Sequence, residues 1–158
     1  MIMNEPHIAD LLENLKSDNE DLRDRATQEL WRIWFEQKGV FGLEMIRRAQ
    51  MMLEHGNSRK AEELLTELIE QAPDFAEAWN RRAVLYYMQG RYREAIADCE
   101  MVVQLNSVHF GALHGLGLCH VALGDYQAAI RAFRQALEVQ PHAIANQRWI
   151  LECTAKLN

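Results

Sequence analysis

The chain has 158 residues, 49% hydrophobic and 25% charged, with a net charge of −6. That length supports one continuous core, and no apolar run approaches the roughly 18 residues of a membrane span. The acidic excess lies in residues 1–75 and no basic stripe appears anywhere, which disfavours nucleic acid, whose phosphates call for clustered Lys and Arg.

Residues 1–41 carry two apolar stripes. Ile8, Leu11, Leu12 and Leu15 repeat at helical spacing, and Leu22, Ala26, Leu30, Ile33 and Trp34 form a second stripe up to Gly39. Between them Ser17 to Glu20 reads "SDNE", a capping box. The expectation is a helical hairpin that caps the core of the next segment, with Trp31, Trp34 and Phe35 buried against it. The opening has no basic start followed by an apolar stretch, so it is not read as a secretory signal, and a cytoplasmic setting is expected.

From residue 42 the chain repeats. Gly56, Gly90 and Gly124 recur at one period, as do Ala61, Ala95 and Ala129, with Pro73 and Pro141 two periods apart. The units are 42–75, 76–109 and 110–143, followed by a capping helix over 144–158, all in one structural domain. Each unit reads as two helices around a glycine turn. Such a unit cannot bury its apolar face alone, so stacked neighbours must supply the core. Arg91, just after the second turn glycine, is expected to be exposed and dispensable. Cys99, Cys119 and Cys153 are too scattered for a disulfide framework and are expected as core thiols.

In the middle unit Trp79, Ala83, Tyr86, Gly90, Tyr92, Ala95 and Val102 fall in one register. In the third, Leu113, Leu116, Gly117, Gly124, Tyr126, Ala129, Phe133, Ala136 and Pro141 do the same. This order resembles the tetratricopeptide repeat (TPR) family. The first unit fits more loosely, through Met45, Ala49, Met52, Gly56, Ala61, Leu65, Leu68 and Pro73. Arg48 and Arg82 stand where the family usually has Leu, Ser58 and His120 where it has Tyr, and Ser107 where it has the closing Pro. The resemblance implies an all-α fold, an α-solenoid of three such repeats.

The first helix of each unit has a second apolar arc opposite the core arc, and two apolar faces imply two buried surfaces. In unit one that arc carries Ile46, Gln50 and Leu53, and in unit two Asn80, Val84, Tyr87 and Met88. In unit three it carries Gly111, His114, Leu118 and Val121, with Gly115 beside it. Trp149 is expected at its C-terminal edge or packed under the last helix. The resemblance implies that this arc lines a concave groove for a partner peptide or helix, in an adaptor or assembly factor. The alternative is a groove filled by the protein's own N-terminal helices. A homodimer or self-associating structural subunit is the second functional reading, and RNA binding by helical repeats is the third, disfavoured by charge. The Lys and Asn clamp that some relatives use for C-terminal carboxylates is missing, because its positions hold Ile46, Gln50, Arg81, Gly111 and Gly115.

Nothing in the sequence supports catalysis. His114 and His120 stand about 240° apart on one helix and cannot share a metal. The phosphate-loop, zinc-protease and nucleophile-elbow patterns are absent. The expectation is a protein without enzymatic activity, cofactor or metal site.

Overall fold

In the computed structural model, which describes residues 5–158, those residues form nine α-helices and no strand. They are α1 (Glu5–Asn14), α2 (Glu20–Phe35), α3 (Gly39–Glu54), α4 (Ser58–Gln71) and α5 (Ala76–Met88). The remainder are α6 (Tyr92–Leu105), α7 (Phe110–Ala122), α8 (Tyr126–Val139) and α9 (Ile144–Leu157). The chain is an all-α solenoid in which α3–α4, α5–α6 and α7–α8 are helical pairs and α9 stacks on α8.

The pairs close because their turns are stereotyped. Gly56, Gly90 and Gly124 have φ of 76°, 73° and 76°, a left-handed conformation that costs glycine nothing. After α5 the Gly90 N–H reaches the Tyr87 carbonyl and the Arg91 N–H reaches the Tyr86 carbonyl at 2.8 Å. This double bond is the usual helix-ending motif, and it recurs after α3 and α7. Small residues then let the helices of a pair approach. Ala61, Ala95 and Ala129 are all 0% exposed.

Arg82, standing where the resemblance leads one to expect Leu, is accommodated by a buried acid. Its guanidinium donates to both Asp98 oxygens at 2.7 and 2.8 Å, and to Thr66 Oγ1 at 3.2 Å. It also lies over the Trp79 and Tyr86 rings. The hydrogen bonds to Asp98 hold its pKa above the usual arginine value. One side chain thus ties α5 to α6 and α4.

Three expectations change here. Asn19, not Ser17, caps α2: its Oδ1 accepts from the N–H groups of Asp21 and Leu22, while Ser17 Oγ accepts from Asn19 N–H. The first repeat helix begins at Gly39 rather than at residue 42, which brings Val40 and Phe41 onto α3, 84% and 57% exposed. Most consequential, the hairpin α1–α2 does not cap the first pair. Its cluster of Leu11, Leu15, Ala26, Leu30, Ile33 and Trp34 closes on Phe110, with Val108 and Val139 alongside. Among the described residues of the hairpin, only Phe35 reaches the cluster of the first pair. The hairpin runs along the edge where successive pairs join. Lys38 bonds Asp74 before α5, Trp34 covers His109 before α7, and Asp18 faces His142 before α9. The physical reason is aromatic payload: beyond their contacts within α2, Trp31 and Trp34 both meet the rings of His109 and Phe110 at the start of α7.

Candidate functional site

On α5 and α7 the face expected to line a groove divides into two zones. The starts of both helices are covered by α2, and Val84 and Met88 farther along α5 are exposed.

At the covered end Glu77 is fully buried. It accepts from His109 Nε2 at 2.9 Å, from Asn80 Nδ2 at 3.0 Å and from Arg81 Nε at 3.0 Å. His109 also caps α7, since its Nδ1 accepts from the Ala112 N–H at 3.0 Å. That bond places the imidazole proton on Nε2, facing Glu77. Burial alone would raise the Glu77 pKa, but the His109 hydrogen bond, the Arg81 charge and the Asn80 amide hold it below the usual carboxylate value. No side-chain polar atom buried among the described residues lacks a partner.

Aromatic rings of α2 roof this network. Trp34 stacks on His109 with centroids 4.5 Å apart, and Trp31 meets the same ring edge-on at 5.2 Å. The Arg81 guanidinium lies 4.9 Å from the Phe35 centroid and 5.9 Å from that of Trp31. Gly111 is where the roof touches the floor: a Cβ there would stand 2.5 Å from Trp31 Cη2. The space left by the absent Gly111 side chain is therefore occupied by this chain's own indole.

Of the residues expected in the groove, Ile46 is buried in the core of the first pair, Asn80 is buried in the Glu77 network, and Gly111 lies under Trp31. His114 is half-buried, with Nδ1 2.6 Å from Asn146 Oδ1 of α9. Leu118 and Val121 join the cluster of Ile130, Phe133 and Cys153, and Trp149 stacks on Phe133 with planes 5° apart. Between the two expectations for Trp149, it is half-buried against the α8 core. A Cβ on Gly115 would meet only Cys99 Sγ, at 3.6 Å. Tyr87 packs edge-on against Tyr92 at 5.5 Å and is half-buried. Gln50, Val84 and Met88 face outward, with Val84 42% and Met88 69% exposed, and Leu53 sits half-buried next to them in the register. A crevice of about 410 Å³ lies away from this face, between α1 and the ends of α6 and α8, where the hairpin stops short of Val103 and Gln135.

Sequence reasoning passed over Arg81, Glu77 and His109 as parts of one arrangement. The signal available was the surplus of aromatic surface in Trp31, Trp34 and Phe35. Among the described residues, no group of three or more His, Cys, Asp or Glu side chains could hold a metal, and no helix is long and apolar enough to cross a membrane.

Comparison with known proteins gives one answer along the repeats. Residues 74–142 match the family model described as tetratricopeptide repeat. A TPR repeat-containing protein of Rhizobium etli is 34% identical over 97 residues, covering 61% of this chain and 48% of that protein. DnaJ homolog subfamily C member 7 of Homo sapiens is 33% identical over 100 residues, covering 59% of this chain and 20% of its own length. The chain thus spans about half the length of the first relative and a fifth of the second. Among solved structures, the first TPR of Spaghetti (RPAP3) bound to HSP90 peptide SRMEEVD aligns with a TM-score of 0.70 at 20% identity, covering 73% of this chain and 91% of that one. The Sgt2 TPR domain from Aspergillus fumigatus aligns at 0.66 and 22% identity, covering 72% and 77%. At these identities the structural likeness is one of fold.

Proposed function

This chain is a tetratricopeptide-repeat protein, and from that premise we propose that it is a protein-interaction module, an adaptor or assembly factor without enzymatic activity. Its ligand is a peptide or helix of another protein, held in the open zone of the first-helix face. The observation that carries the reading is the pair Val84 and Met88. They are exposed on a helix whose opposite side is core, and both sit one to two turns beyond Arg81, which lies against the α2 rings. An exposed aliphatic beside an adaptable thioether is the kind of surface that takes apolar anchors. Gln50 adds an amide able to fix register.

The solved likeness bound to an HSP90 peptide supports peptide binding as the use of this fold. It does not transfer the ligand. At the positions of a carboxylate clamp, Ile46 is buried and Arg81 is committed to Glu77 and two aromatic rings. Binding of acidic C-terminal tails is therefore not part of the proposal. A cytoplasmic setting is.

The test is an affinity capture comparing wild type with Val84→Asp/Met88→Asp at equal melting temperature. Partners retained by the variant at wild-type yield would sink the reading. A second reading, self-association, is favoured by Phe41 and Met51 on α3 and by Leu151 on α9, which are 57%, 57% and 70% exposed. Particle mass rising with concentration would support it.

A further inference from the structure

Cys99 on α6 and Cys119 on α7 are free thiols, 3% and 1% exposed. The repeat shows how they come together. One period earlier the same two positions are Leu65 and Leu85, and one period later they are Phe133 and Cys153. Leu65 and Leu85 share a core cluster, and Phe133 and Cys153 share another. These positions are therefore a recurring contact between each second helix and the first helix that follows it, at the α4–α5, α6–α7 and α8–α9 seams. At the α6–α7 seam both members of the contact are thiols.

Gly115 brings the sulfur in. A Cβ there would lie 3.6 Å from Cys99 Sγ, and Cys119 follows one turn along the same side of α7. The two thiols are hydrogen-bond neighbours. That bond, with burial, raises the Cys99 pKa above the usual thiol value, and the same bond lowers that of Cys119. Cys119 is thus the member that gives up its proton more readily, and the thiolate is the attacking form.

We propose that Cys99 and Cys119 are an oxidative modification site, at which a hydroperoxide converts the two thiols into a disulfide that pins α6 to α7. The Cys119 thiolate attacks a peroxide oxygen and the O–O bond breaks. Hydroxide departs and takes up the Cys119 proton as water, leaving a sulfenic acid on Cys119. The Cys99 sulfur then attacks the sulfenic sulfur. The S–S bond forms, and the sulfenic hydroxyl leaves as water with the Cys99 proton. One hydrogen peroxide takes two electrons from two thiols and gives one disulfide and two waters. A small dithiol reverses the change by exchange. The bridge joins the α5–α6 pair to the α7–α8 pair and constrains the unfolded chain. Cys153 faces Phe133 in place of a second thiol and stays reduced. The site is independent of what the first-helix face binds.

The experiment treats the full folded chain with hydrogen peroxide, removes the excess with catalase, and alkylates free thiols in urea before mass spectrometry. One of the three thiols should then be alkylated. A digest that cuts after Glu100 should leave the Cys99 and Cys119 pieces joined until dithiothreitol is added. The oxidised chain should melt higher than the reduced one. Cys153→Ala should oxidise as wild type does, and Cys99→Ala or Cys119→Ala should form no intramolecular bridge. The wild-type digest decides the pairing even where a variant unfolds. Oxygen added to either thiol without a bridge would overturn the proposal, as would a bridge to Cys153, a covalent dimer, or a bridge that forms in urea but not in the folded chain. An oxidised chain melting at or below the reduced one would overturn the pinning of α6 to α7.

Discussion

His109 donates through Nε2 to Glu77 across 32 residues of sequence, at 2.9 Å, with both side chains fully buried. The carboxylate is held below its ordinary pKa, so folding favours its ionised form. Such a group contributes stability above the unfolded value, about 4.3 for Glu, and that contribution is lost as pH falls through the folded value. The expected outcome is a urea-unfolding midpoint that declines below about pH 4 from this source. Glu77→Gln should lower stability at pH 7 by about 1.5–3 kcal/mol, as expected for losing a hydrogen bond to a charged group. It should also flatten the acid slope. An unchanged slope in the variant would show that Glu77 is not the titrating group.

Gly117 faces the ring of Phe133 so closely that a Cβ would lie 2.5 Å from it. Phe133 is 0% exposed and stacked on Trp149, so it has nowhere to move. Gly117→Leu and Ala95→Leu should each destabilise by about 1–3 kcal/mol or more through overpacking. Thermal melts read both, and a variant melting with wild type would mean that its site is slack.

Asp98 and Arg82 are 5% and 15% exposed in their side chains and form a two-point pair. Arg82→Ala should cost about 3–5 kcal/mol, because it leaves the Asp98 carboxylate buried and unpaired. Arg82→Leu combined with Asp98→Ala removes both charges and should recover most of that loss. A double variant as unstable as the single one would assign the cost to packing over Trp79 and Tyr86 instead.

Arg91 was expected to be a dispensable turn residue, and the structure gives it work. It donates to Glu62 of α4 at 2.6 Å and to Glu94 at 2.7 Å, and lies 4.2 Å over the Tyr86 ring. Arg91→Ala should lower the melting temperature more than Arg93→Ala, whose side chain is exposed. The difference should shrink at high salt, since the acids that Arg91 pairs with lie near the surface. Identical melts for the two variants would restore the sequence expectation.

Tyr87 and Met88 are neighbours in sequence with different environments. Tyr87→Ala strips a half-buried ring from Tyr92 and should lower the melting temperature. Met88→Asp, at a position 69% exposed, should shift stability by no more than about 0.5 kcal/mol while weakening partner capture. Loss of capture with Tyr87→Ala alone would place the anchor on the ring.

The all-α class, the repeat register and the three turn glycines were legible in the residues, because each is a local matter. Helical spacing shows which positions must be buried, and a left-handed turn after each first helix needs glycine, as at Gly56, Gly90 and Gly124. The second apolar arc expected on the first helices is divided in the fold: Ile46 packs in the core of the first pair and Leu118 and Val121 against the Phe133 cluster, while Val84 and Met88 stay exposed. The seat of the hairpin was not legible. Sequence proximity placed the hairpin against the first pair, and only the folded chain shows Trp31 on Gly111 and Trp34 on His109, far along the sequence. Helical periodicity records how much apolar surface an element must bury, and carries no term for which distant surface receives it. That choice was made by shape and ring partners brought together at the α5–α7 junction, and it left Val84 and Met88 open while closing Asn80 and Gly111.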